Sequence, residues 1–135
     1  MAWTVDIKKI FAGRRKQVIH IVGNGDGSAA ELTDTILVNA SDETHGVPPV
    51  TATYMTVEKI EYNTDGVELN LRFDATVDDE LAMIPDNDAG ELCWRNIGGN
   101  TDPQSAGSTG DILLTTDKTV ANASFTLTLH VRPKS

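Results

Sequence analysis

Residues 125–132 read Phe-Thr-Leu-Thr-Leu-His-Val-Arg, an unbroken alternation of apolar and polar positions. Phe125, Leu127, Leu129 and Val131 share one face; Thr126, Thr128, His130 and Arg132 share the other. A period of two predicts a strand buried on one face. The same grammar recurs along the chain. Trp3, Val5 and Ile7 alternate with Thr4, Asp6 and Lys8, which predicts a first strand, and Gly13-Arg14 marks a turn. Residues 16–22 predict a second strand with Ile19 and Ile21 on one face and Val18, His20 and Val22 on the other. Both faces are apolar enough for a central position. Gly23-Asn-Gly-Asp-Gly27 is a turn signal. Residues 32–38 predict a third strand, followed by a loop over 42–49 that ends in Pro48-Pro49.

Residues 53–62 are rich in Thr, Val, Ile and Tyr and predict a strand. Asn63-Thr-Asp-Gly66 then reads as a turn, and 67–73 alternates cleanly, so the two segments predict a hairpin. Residues 77–84 are ambiguous between a short helical turn led by Asp78-Asp79-Glu80 and an exposed stretch. Strands are predicted over 91–97, 111–116 and 123–132, with a long polar loop over 98–110. Eight or nine short strands with turn signals between them predict an all-β, single-domain β-sandwich, jelly-roll-like, over residues 1–135. Its expected core includes Val67, Leu69, Leu71, Phe73, Phe125, Leu127, Leu129 and Val131.

Composition adds limits to that picture. A chain of 135 residues with 39% hydrophobic and 23% charged residues is large and apolar enough for one self-sufficient core. No apolar run approaches the ~20 residues of a membrane helix. The first residues, Met-Ala-Trp-Thr-Val-Asp, lack the charged and apolar regions of a signal peptide, so synthesis in the cytoplasm is expected. Cys93 is the single cysteine, which excludes an internal disulfide. Charge is uneven: residues 1–16 hold Lys8, Lys9, Arg14, Arg15 and Lys16 against Asp6, a net of +4. The rest holds 6 basic and 19 acidic residues, a net of -13. An acidic body disfavours nucleic-acid binding, since phosphates are repelled. The basic segment either docks on an acidic partner or keeps an edge strand soluble.

Catalytic equipment is not visible in the chain. His20, His45 and His130 stand far apart, and none has a metal-ligand partner at zinc-site spacing. Asn24-Gly-Asp-Gly-Ser28 lacks the further ligands of a calcium loop and reads as a turn. Gly107-Ser-Thr-Gly110 is followed by Asp111 and a strand, not by the Lys and helix of a phosphate loop. Ser105 and Ser108 have no marked base, and Asp78-Asp79-Glu80 reads as a solvated run. The expectation is therefore no enzyme, no catalytic residue, no metal and no cofactor. A carbohydrate-binding module is the alternative from another class, with Trp3, Trp94, Tyr54 and Tyr62 as candidate platforms; core packing explains the tryptophans equally well.

The stretch 98–116, Gly-Gly-Asn-Thr-Asp-Pro-Gln-Ser-Ala-Gly-Ser-Thr-Gly-Asp-Ile-Leu-Leu-Thr-Thr, precedes the closing alternating strand. Together with the opening Met-Ala-Trp-Thr-Val, it resembles small β-structured virion proteins of tailed bacteriophages. The resemblance touches both ends of the chain and leaves the middle uncovered; it carries no catalytic motif. It implies a capsid decoration, or cement, protein on the capsid surface that binds the major capsid protein and stabilises the head, with a neck or tail protein as the alternative. It also implies a homo-oligomer, dimer or trimer; the acidic charge and the lack of a long apolar run add the expectation of no nucleic-acid and no membrane partner. The expected partner interface is Lys8, Lys9, Arg14, Arg15 and Lys16. Loops 42–50 and 98–110 are expected to reach a neighbour.

Overall fold

The computed structural model describes residues 3–13, 15–25, 31–46 and 48–135. The last strand organises it. β12 (Ser124–Lys134) buries Phe125, Leu127, Leu129, Val131 and Pro133, and turns the intervening residues outward. It lies between β2 (Gln17–Gly25) and β6 (Tyr54–Asp65), antiparallel to both. β1 (Trp3–Ala12) pairs with the far side of β2 and ends the sheet. On the other flank, β9 (Ala89–Cys93) and the two-residue β10 (Asn100–Thr101) both pair with β6. The second sheet runs β3 (Thr35–Val38), β11 (Ile112–Asp117), β7 (Glu68–Phe73), β8 (Asp79–Ile84). A small hairpin of β4 (Thr44–His45) and β5 (Val50–Thr51) follows the 3-10 turn Ala40–Asp42.

Without β1 and the two-residue strands, one sheet has the order β2-β12-β6-β9 and the other β3-β11-β7-β8. The chain crosses between layers at every step but β7 to β8. That is the winding of a jelly roll, with β1 added at one edge. Buried residues of both sheets join one core cluster, and all eight expected core residues are at most 2% exposed. Each large apolar side chain buried in this way stabilises the fold by about 1.5–3 kcal/mol. Pro133 lacks an amide proton; it lies beyond the last β2–β12 pair, where β12 has a single neighbour and the missing donor costs nothing.

Several local expectations are corrected. Segments 53–62 and 67–73 do not form a hairpin. β6 runs on to Asp65, Gly66 takes a left-handed φ of 72°, and β7 enters the opposite sheet. The Asn-Thr-Asp-Gly signal marks a chain reversal; it does not say whether the two arms share a sheet. Here the corner is fixed from outside: Gly66 donates its N–H to Asn87 Oδ1, and Val120 donates to the Gly66 carbonyl. Gly23 is not a turn residue either. It sits within β2 opposite Phe125, where a Cβ would lie 2.2 Å from the ring. The rest of that turn signal, 26–27, lies outside the described residues, as does much of the 24–28 calcium-like stretch. The acidic run 78–80 enters a strand, because Asp79 and Glu80 continue the ladder opposite Phe73 and Arg72. The third strand starts late, after Asp34 at a φ of 47°.

Candidate interaction surface

The β1–β2 hairpin carries the basic segment, and alternation distributes its charges. Val5, Ile7 and Lys9 face Gly23, Ile21 and Ile19, which are core positions of β2, so all three point inward. Asp6 and Lys8 face Val22 and His20 on the outer side. Lys9 therefore aims into the open edge of the sandwich, where its Nζ meets Glu43 Oε2 at 2.6 Å. The Glu43 side chain is 4% exposed, so this cation neutralises a buried carboxylate and is committed there. An inward charge also keeps an edge strand from pairing indiscriminately.

Beyond Lys9 the ladder slips, with the irregularity between Lys9 and Phe11. Ile10 and Phe11 are each 56% exposed. The hairpin closes with the Gly13 N–H donated to the Lys16 carbonyl at 2.9 Å. Arg15 is exposed in the turn, and Arg14 lies outside the described residues. Lys16 Nζ is 4.0 Å from Glu58, a loose pairing. The five predicted residues thus divide. Lys9 pairs with buried Glu43 at the edge of the sandwich, Lys8 lies on the outer sheet face, and Arg15 and Lys16 sit in the hairpin turn. Sequence reasoning missed the apolar half of this surface, Ile10 and Phe11. Its signal was present: Lys9 takes an apolar-phase position, so alternation fails just before the Ile-Phe pair.

The cleft beside this hairpin, about 460 Å³, is lined by Arg15, His45, Arg132, Lys134 and the chain's last residue. Arg132 is already engaged: it donates to the Gly98 carbonyl at 2.8 Å and lies 3.7 Å from Glu58. The outer face of the larger sheet is likewise self-paired. Lys59 bridges Glu61 and Glu91 at 3.6 and 3.1 Å, and His130 Nε2 is 3.1 Å from Glu61. The hydrogen bond with His130 is the main cause that holds the Glu61 carboxyl below its ordinary value. The one with Glu91 does most to raise Lys59.

The residues considered for catalysis lie in loop 98–110, which enters the larger sheet on the far side of β6 from β1, and in the 74–79 segment bonded to it. Ser105 Oγ donates to Asp79 Oδ1 at 3.0 Å, Thr109 Oγ1 donates to Asp74 Oδ2 at 2.6 Å, and Ala75 donates its N–H to Asp78 Oδ1. Asp102 is 2% exposed and accepts the Gln104 N–H. Burial raises its carboxyl above the ordinary value, the Gln104 bond opposes this, and the Asp79 charge adds to it. These carboxylates order loop 98–110; none orients a histidine toward a serine. His20 bonds Thr128 and His130 bonds Glu61 on the outer face instead. Among the described residues no cluster of His, Cys, Asp or Glu is arranged to hold a metal ion. The loop itself is tied down: Asn100 bonds the Leu81 carbonyl, Asp102 donates its N–H to Met55, and Thr76 donates to Ala106. Loop 98–110 is thus fastened to the body, while residues such as Thr101, Pro103, Gln104, Ala106 and Thr109 remain exposed. The 42–50 segment folds back as β4–β5 and buries Glu43, with Asp42, Thr44, Pro48, Pro49 and Val50 exposed.

Of the candidate sugar platforms, Trp3 is 3% exposed and packs on Phe125 at a centroid distance of 5.4 Å. Trp94 and Tyr62 are partly buried against the core. No described helix is long and apolar enough to cross a membrane. No protein-family model matches the chain, and no curated protein matches it.

Proposed function

We propose that this protein is a structural component of a tailed-phage particle: a decoration module on the head, docked on the major capsid protein through the turn end of its β1–β2 hairpin. The observation that carries the reading is the apolar and cationic character of that turn end on an otherwise acidic body. Ile10 and Phe11 are more than half exposed beside Arg15, while the chain after residue 16 carries a net charge of -13. Exposed large apolar side chains beside an exposed cation suit a protein partner with an acidic rim. The cations steer the encounter, and the apolar pair supplies the holding energy. Single ion pairs at such a rim contribute only about 0–1 kcal/mol each, so lattice binding draws on apolar contact and on many copies engaging at once. The jelly-roll winding supports the reading by analogy alone, since viral shells and lectins both use it. The sequence likeness to phage virion proteins directs the choice between them.

The test is binding of purified protein to undecorated shells at low and high salt. The triple variant Arg14→Glu, Arg15→Glu, Lys16→Glu should attach more slowly and with a weaker salt dependence. Phe11→Ser should attach at a near-normal rate and dissociate faster. A triple variant that attaches as fast as wild type at low salt overturns the docking assignment.

A further inference from the structure

The other side of β1 carries a second surface, independent of the virion reading. β1 ends the six-stranded sheet, and no described strand pairs with its outer edge. Its ladder to β2 is unbroken from Trp3 to Lys9. Ile7 lies opposite Ile21, which is fully buried, so it belongs to the core face; yet Ile7 is 47% exposed, with no described strand beyond it. Its exposed neighbours in the groove below are Ile36 and the edge of β3. Asp6 and Lys8 flank it on the outer face, and neither makes an ion pair with a described residue.

We propose that two copies of this chain associate by antiparallel pairing of β1 with β1 about a two-fold axis at Ile7. Register selects the axis. A continuous core face across the junction requires the axis to pass through a residue, because a half-residue shift turns one sheet over. Directly opposed residues then share a face and touch. An axis at Asp6 sets Asp6 against Asp6 of the partner subunit, and an axis at Lys8 or Lys9 opposes two lysines. An axis at Val5 leaves Asp6 facing Thr4 of the partner subunit. An axis at Ile7 sets Asp6 against Lys8 of the partner subunit, Lys8 against Asp6 of the partner subunit, and Ile7 against its own copy. That register alone matches both charges and covers the exposed isoleucine.

The interface is isologous, so it consumes both free edges and closes. The irregularity after Lys9 and the inward Lys9–Glu43 pair limit the ladder to residues 5–9 and stop it from sliding. A ladder this short makes a weak dimer, visible at high protein concentration.

Sedimentation velocity over a concentration series tests it, with Asp6→Lys and Lys8→Asp as variants. Both sites are exposed, and circular dichroism confirms folding. Wild type should dimerise. Each single variant opposes like charges twice across the axis and should weaken association about tenfold or more. Mixed in equal amounts, the two variants should recombine as a heterodimer, since each presents the charges the other needs. A wild type that stays monomeric at the highest concentration overturns the proposal. Singles that associate like wild type, or a mixture that does not recombine, place the contact elsewhere and overturn it equally.

Discussion

Lys8 and Lys9 are chemically identical neighbours with different tasks. Lys8 is exposed on the outer face, whereas Lys9 turns inward to a Glu43 side chain only 4% exposed. Lys9→Ala leaves that carboxylate without its partner, and should cost about 1–3 kcal/mol by the penalty for an unsatisfied buried group. Lys8→Ala should change stability by less than about 0.5 kcal/mol, as surface substitutions do. Urea denaturation of the two variants measures the difference. Alternation already placed Lys9 in phase with Ile7, so its inward aim was legible; the carboxylate awaiting it, more than thirty residues on, was not.

Asp102 is the second residue with a consequence of its own. Burial raises its folded carboxyl above the ordinary value. The folded state therefore holds this proton to higher pH than the unfolded chain does, and stability falls as pH rises through the folded value. Glu61, held below its ordinary value, acts in the opposite sense: its stabilisation is lost as pH falls. The two are separated by substitution. Asp102→Asn should lose the decline in melting temperature that accompanies ionisation of Asp102, and should keep the loss at low pH due to Glu61. Melting temperatures across the acid range check this.

Elements were legible where one face alternates and obscure where a neighbour decides. The strand Phe125–Arg132 was readable because each apolar residue meets the same core, and 67–73 likewise. The pairing of 53–62 with 67–73 was misread because local turn chemistry carries no information about sheets. Gly66 is positioned by Asn87 and Val120, contacts that no local pattern displays. Gly23 was misread for a related reason. Its glycine serves the Phe125 ring on the neighbouring strand rather than a turn. Gly23→Ala should therefore cost about 1–3 kcal/mol by overpacking, whereas a turn glycine of negative φ would tolerate alanine. Pairing Gly23→Ala with Phe125→Leu should recover part of the loss, and thermal denaturation of the double variant reads it. Loop 98–110 shows the same limit. Its Gly, Ser and Asp content announced irregular backbone correctly, but not that Asp79, Asp74 and Asn100 would fasten it to the body.

At the scale of the whole molecule, charge and apolar exposure coincide on one hairpin. The basic residues were legible as a segment with a net charge of +4. Their division between a core-edge ion pair, an outer face and a turn required the ladder register. The account assigns the turn end, Ile10, Phe11 and Arg15, to an outside partner and the free edge of β1 to a second copy. Both surfaces belong to the same hairpin, so the proposed pair would present two turn ends, one for each of two neighbours in the proposed lattice.

Cryo-electron microscopy of the intact phage particle tests the decoration reading most directly. The account predicts on the order of hundreds of copies spread over the head by lattice symmetry, each with the 10–16 hairpin turn against the major capsid protein. A ring of at most some tens of copies at the neck or tail, or a head lattice contacted through loop 98–110 and not the hairpin turn, would contradict it.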